Sequence, residues 1–315
     1  MNGACNQLLT SYNLVQYGSL ADNDLCVFQR DGSVTCTYVE DAYKDWLNMM
    51  HQWYDEGLYD PDFISISYIG FGGQDETLLS EGNLGVWWGN INAINNYYAM
   101  SPDEDFDMTI AFIPATDDPM NHVVDASLLF AGAGGINGTA LSATCSQPEI
   151  AMGWLDFWYG QEGYMLANYG IEGEVYEMVD GQVEYTDLIL KNAYDLDPST
   201  VLNLYAVAGT AFGIQSDART WPFFSDVQLL ALTEWTDPID SAWVYPDATL
   251  NTAESDVLSA KLTDITTYIA ESVPKFINGD LDVNTQWEDF QATLESMGIY
   301  DCLAAYQSAL DRYNR

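Results

Sequence analysis

The chain is almost without cations. Eight Lys and Arg stand against 48 Asp and Glu in 315 residues, a formal net charge of −40. Phosphate backbones are held by clustered basic side chains, so no nucleic-acid partner is expected, and anionic membrane surfaces are disfavoured for the same reason. Repulsion among so many carboxylates keeps such a molecule in solution, and it opposes compactness at low ionic strength. Histidine is equally scarce. His51 falls in a predicted helix and His122 in a predicted loop, neither with a second ligand at useful spacing, so no metal centre and no cofactor are expected. No apolar run approaches membrane-spanning length. The opening MNGAC has neither the basic nor the apolar part of a signal peptide, so no signal peptide is read and Cys5 is not read as a lipoprotein cysteine.

Cysteine is sparse and odd in number: Cys5, Cys26, Cys36, Cys145 and Cys302. A complete disulfide framework is therefore not indicated. Cys26 and Cys36 flank Arg30-Asp31-Gly32-Ser33 in a strand–turn–strand pattern. A three-residue loop would set them opposite each other, whereas a two-residue Asp31-Gly32 turn would shift the register by one and separate them.

What the chain does have is apolar and aromatic mass. At 48% hydrophobic and 14% aromatic, it can bury a large core over one or two domains. Tyr and Trp combine an apolar face with a polar handle, which suits cores and amphipathic ligands alike. Helical spacing of Tyr43, Trp46, Leu47, Met50, Trp53 and Tyr54 predicts a helix over residues 39–57, stopped by Gly57. A short helix is read at 74–80, buried strands at 84–88, 108–113 and 127–136, and a helix start near Asn92. Pro148 looks like a first-turn proline, with Ile150, Trp154, Leu155 and Trp158 on one helical face. Asp180-Gly181 centres a hairpin over 175–185, and 191–243 reads as short helices and loops. A long amphipathic helix covers 253–277, where Pro274 should kink or split it. Helices at 287–297 and 303–313 follow, separated at Gly298. Alternating strands and helices make the class α/β.

Catalytic and metal patterns are poor. Asp280, Asp282 and Asn284 imitate the start of a calcium loop, but Thr285 and Gln291 occupy positions that need Gly and Glu; an acid-rich helix N-terminus explains them better. The glycines at 132, 134, 135 and 138 miss a dinucleotide fingerprint, because Asn137 stands in the third glycine position. No nucleophile elbow occurs. Glycoside hydrolysis needs only two carboxylates, and Glu172 and Glu174 lie in a glycine-framed loop beside Tyr169 and Tyr176. With 48 acids such a pair carries little information. Hydrogen bonding to a ligand or to backbone amides is the better reading, no catalytic residue is assigned, and the chain is not expected to be an enzyme.

The order of pieces carries a resemblance. ETLLSEGNLGVWWGN, IAFIPATDD, LLFAGAGGING and PEIAMGWLDFWYGQEGYMLANYGIEGEVYEMVDG follow one another as in the extracellular solute-binding proteins of ABC sugar importers. DAYKDWLNMMHQWYDEGLYDPDF and KFINGDLDVNTQWEDFQATLESMGIYDCLAAYQSALDRY resemble upstream and C-terminal parts of the lipoprotein-type, oligosaccharide-importing subgroup. The resemblance implies a type II periplasmic-binding-protein-like fold of two lobes, with the N-terminal lobe incomplete. It assigns residues 1–113 plus 205–315 to the second lobe and 114–204 to the surviving part of the first. It further implies a carbohydrate as ligand, an ABC permease as membrane partner, a monomer, and an extracellular, lipid-anchored full-length form. The alternative of another class is an acidic glycoside hydrolase or a fragment of one.

Sugars present apolar C–H faces rimmed by hydroxyls, so they call for aromatic platforms beside amides and carboxylates. Trp87, Trp88, Asn90 and Asn92 supply that mix, with one of the two tryptophans facing the cleft because neighbours on a strand point opposite ways. Arg219, Thr220 and Trp221 form a second patch, and Glu172 lies on the far loop.

Overall fold

A computed structural model of the chain describes residues 8–9, 11–15, 25–64, 82–86, 91, 94, 97–98, 101, 103, 105–111, 140–193, 196–207, 213–234, 245–246 and 248–315. In chain order the elements are β1 (Val27–Arg30), β2 (Ser33–Cys36), α1 (Asp41–Asp55), α2 (Pro148–Phe157), α3 (Gln161–Tyr169), β3 (Tyr176–Val179), β4 (Gln182–Tyr185), α4 (Asp187–Leu190), α5 (Pro198–Tyr205), α6 (Asp226–Glu234), α7 (Thr252–Ile277), α8 (Val283–Met297) and α9 (Ile299–Tyr313). They divide into two compact units. One comprises Met1–Leu129 with Ala231–Arg315, the other Phe130–Leu230. No helix among the described residues is long and apolar enough to cross a membrane.

The first unit is a helical layer closed by a hairpin. Tyr43, Trp46, Leu47 and Met50 come from one face of α1, and they meet Ile265, Ile269, Val273 and Phe276 of α7 and Trp287, Phe290 and Leu294 of α8 in one core. Tyr43 stacks on Trp46 with centroids 5.3 Å apart. Gly57 takes φ +70° and donates its N–H to the Tyr54 carbonyl, which ends α1 as its sequence implies. α7 begins in a capping box, Asn251 Oδ1 accepting from Glu254 N and Glu254 Oε2 from Asn251 N. It runs through Pro274 unsplit. The proline lies three residues from the helix end, and buried Val273, Phe276 and Ile277 hold that last turn in the core. Gly298, at φ +91°, turns the chain between α8 and α9.

The β1–β2 hairpin resolves the cysteine question. Arg30 pairs with Ser33 and Val27 with Cys36, so the turn has two residues, Asp31 and Gly32, both at positive φ. That is the register that separates the cysteines, and no disulfide joins Cys26 and Cys36; Cys26 Sγ lies 3.5 Å from Tyr38 Oη instead. Burial pushes the Cys36 thiol up to about 12. Asp282 caps α8 by accepting from Asn284 N, the helix-terminus role expected of that acidic run.

Two strand expectations fail where the structure can be read. Leu84 to Val86 form no strand, and Val86 is 76% exposed. Met108 to Ala111 likewise form none. Apolar character marks a segment that wants cover, whereas a strand also needs a neighbour for its N–H and C=O groups, and composition does not reveal one. The expected helix at 74–80 and strand at 127–136 lie outside the described residues, and of the helix expected after Asn92 only Ile94, Tyr97 and Tyr98 are described, as helix.

The second unit has a smaller core of Val175, Tyr176, Tyr185, Ile189, Val201, Leu202 and Ala206. β3 and β4 form the expected hairpin, Val179 paired with Gln182 across Asp180-Gly181. α2 forms with Pro148 in its first turn, as expected, and none of its residues is fully buried.

Candidate functional site

Among the described residues the best-organised polar and aromatic surface lies in the second unit, where α3 meets the glycine loop and the two short 3-10 turns after α5. Gly170 ends α3 at φ +83°, and a Cβ there would sit 2.9 Å from Val175 Cγ2 and 3.2 Å from the Tyr205 carbonyl. Only glycine allows this approach, and it folds Ile171–Val175 back against the end of α5. Asn168, just before it, is 2% exposed. Its Nδ2 donates to the carbonyls of Tyr164 (2.9 Å) and Ile214 (2.8 Å), and its Oδ1 accepts from Ser216 N at 2.7 Å. One side chain thus ties the segment carrying Ser216 and Arg219 to α3.

Four rings run across this region. Tyr176 and Tyr169 have centroids 6.0 Å apart, Tyr169 and Tyr185 6.3 Å, and Tyr185 and Phe223 4.8 Å. Their phenols are anchored: Tyr169 Oη and Ser216 Oγ share a hydrogen bond of 3.1 Å, and Tyr185 Oη donates to the Arg219 carbonyl at 2.7 Å. Burial raises the pKa of all three tyrosines; the Glu172 carboxylate adds to this at Tyr176, while Arg219 opposes it at Tyr169 and Tyr185. All three phenols therefore stay neutral in water near pH 7. Neutral phenols hydrogen-bond to hydroxyls; they are not primed as bases or nucleophiles.

Glu172 is exposed, and its backbone bridges Tyr176. Arg219, in the 3-10 turn Asp217–Arg219, is only 6% exposed, and its Nη2 donates to Asn203 Oδ1 at 2.9 Å. Trp221 opens the next 3-10 turn, Trp221–Phe223, and is 46% exposed, leaving an apolar face to solvent. The structure thus joins the Arg219/Trp221 patch to the Glu172 loop through the tyrosine row. Trp87, Trp88, Asn90 and Asn92 lie outside the described residues. Sequence reasoning missed Asn168, Asn203 and Ser216. An amide two residues before a helix-ending glycine was the available signal for Asn168. Among the described residues no cluster of three or more His, Cys, Asp or Glu is placed to hold a metal ion.

The chain has the α/β, type II periplasmic-binding-protein-like fold of the solute-binding proteins of ABC importers. Solved structures similar over 98% of the chain include an HMO-binding, ABC-transporter-associated solute-binding protein from Bifidobacterium longum infantis (TM-score 0.67, 16% identity, 62% of that chain). They also include the alginate-binding protein AlgQ2 without calcium ion (0.65, 18%, 62%) and FusA of S. pneumoniae in complex with kestose (0.62, 18%, 60%). In sequence, the fructooligosaccharide ABC transporter substrate-binding protein FusA of Streptococcus pneumoniae serotype 4 is 21% identical over 320 residues. That alignment takes in 94% of this chain and 54% of the relative, so the chain spans about half the length of the relative it matches. No protein-family model matches the chain.

Proposed function

We propose that this chain is the ligand-capturing part of an extracellular solute-binding protein that delivers an oligosaccharide to an ABC permease. It holds the sugar reversibly and performs no chemistry. Residues 1–113 with 205–315 make up one lobe, and residues 114–204 belong to the other. In its full-length form the protein is a lipid-anchored monomer outside the cell. The observation that carries this reading is likeness of fold along 98% of the chain to proteins described as alginate-binding, HMO-binding and in complex with kestose. The chemistry of the second unit supports it: a half-exposed Trp221 for a sugar's apolar face and the exposed Glu172 for its hydroxyls, with the buried tyrosine row holding the two in place. Trp87, Trp88, Asn90, Asn92 and Arg219 complete the proposed set.

The test is a binding titration against a panel of oligosaccharides, with product analysis of the same mixtures. Saturable binding without turnover is expected, and Trp221→Ala should weaken it roughly tenfold, the worth of one stacking contact. Cleavage of any glycan would overturn the reading in favour of a hydrolase.

A further inference from the structure

The cations of this chain can be accounted for one by one. All eight Lys and Arg fall among the described residues, so the other residues bring none to a ligand site. Arg30, Lys44, Lys261, Lys275, Arg312 and Arg315 belong to the first unit. There Arg30 meets Glu40 at 2.6 Å, Lys261 meets Asp301 at 2.9 Å, and Arg312 bonds Glu254. The unit that carries the candidate site has Lys191 and Arg219 alone. Lys191 closes an ion pair with Asp187 at 3.1 Å, which leaves no net charge at the end of α4. Arg219 is 6% exposed and its Nη2 donates to Asn203 Oδ1, so its guanidinium is held inside the unit.

Carboxylates gather at the same place. Glu172 and Glu174 lie in the glycine-framed loop, and the Glu172 backbone bridges Tyr176. On the hairpin that follows, Glu177 and Glu184 stand directly opposite each other, a like-charged pair that weakens the ladder. An ionised carboxylate accepts hydrogen bonds and donates none. It takes the O–H of a sugar hydroxyl, but to a second carboxylate it offers only repulsion, worth roughly tenfold or more in affinity at contact distance. The field of a chain with net charge −40 acts in the same direction on an approaching anion. We propose that the site takes oligosaccharides without acidic groups and turns away those bearing carboxylate, sulfate or phosphate, with Glu172 as the residue that sets this specificity. The inference rests on the receptor reading and adds to it a substrate class.

Calorimetric titration of the 315-residue chain tests it, at about pH 8 so that histidine is neutral. The probes are neutral manno-, gluco- and galacto-oligosaccharides, each beside its mannuronic, glucuronic or galacturonic counterpart of equal length. At about 10 mM salt the tightest neutral probe should bind at least roughly tenfold more tightly than its uronic counterpart, and the gap should narrow severalfold at about 1 M salt. Glu172→Gln should move the two affinities in opposite directions, weakening the neutral sugar and strengthening the uronic one. Asp264→Asn removes the same charge from α7 and should leave their ratio unchanged. Uronic probes bound as tightly as neutral ones, or more tightly through Arg219, would overturn the proposal while leaving the receptor reading intact. A preference that ignores salt, or one that Asp264→Asn relieves as much as Glu172→Gln, would also overturn it. Failure of every probe in both series would instead remove the receptor reading, and this inference with it.

Discussion

The two units handle the same kind of sequence in opposite ways. In the first, α1, α7, α8 and α9 each turn an apolar stripe inward, and the four stripes close on one another around Trp46, Phe276, Phe290 and Tyr306. In the second, α2 is just as apolar but buries no residue fully, and the core is small. Amphipathic periodicity states that a face needs cover; it does not supply the cover. A unit's stability therefore follows from which stripes find partners, and the units should respond differently to equivalent substitutions.

The sharpest way to break that comparison is to cut the larger core. Trp46→Ala should destabilise the first unit by about 3–5 kcal/mol in chemical denaturation, the usual cost of deleting a fully buried large ring. Hydrogen exchange in the second unit should barely change. Next is Asn168→Ala, which removes three hydrogen bonds at a buried site and should cost the second unit about 2–3 kcal/mol. Its signature is faster exchange at residues 213–219, because that segment loses its tie to α3.

Smaller again is Glu254→Gln. The Arg312 guanidinium holds the Glu254 carboxyl down to about 2, below its ordinary value. A carboxylate whose pKa is depressed on folding contributes stability above the unfolded value, near 4.5, and loses it as pH falls towards 2. The variant should cost about 1–2 kcal/mol at pH 7 and flatten the acid limb of the stability profile between those values. Least of all is Ile150→Ala, expected to shift stability of the 315-residue chain by less than about 0.5 kcal/mol, because the side chain is already in water. A large loss there would mean that α2 is covered in solution, and the contrast between the units would collapse.

Legibility in the sequence followed the same divide. α1, α8 and α9 could be read because helical spacing and the Gly57 and Gly298 stops are local signals. Both hairpins could be read from Asp-Gly pairs, and the consequence of a two-residue turn for Cys26 and Cys36 was derivable before the register was known. The strands expected at 84–88 and 108–113 were not legible, since pairing is a property of the neighbour. Of the two effects expected at Pro274, the split does not occur, because the flanking residues are firmly packed. In the candidate site the loop around Glu172 was visible through its glycines. The network on Asn168 was not, because it spans nearly fifty residues and relies on a polar side chain with no pattern around it.

The Arg312 contact also makes the last turn of α9 a latch for the first turn of α7. Arg312 bonds Glu254 and the Thr249 carbonyl, more than fifty residues upstream. Arg312→Ala should therefore loosen two distant turns together, hydrogen exchange rising in parallel at the start of α7 and the end of α9.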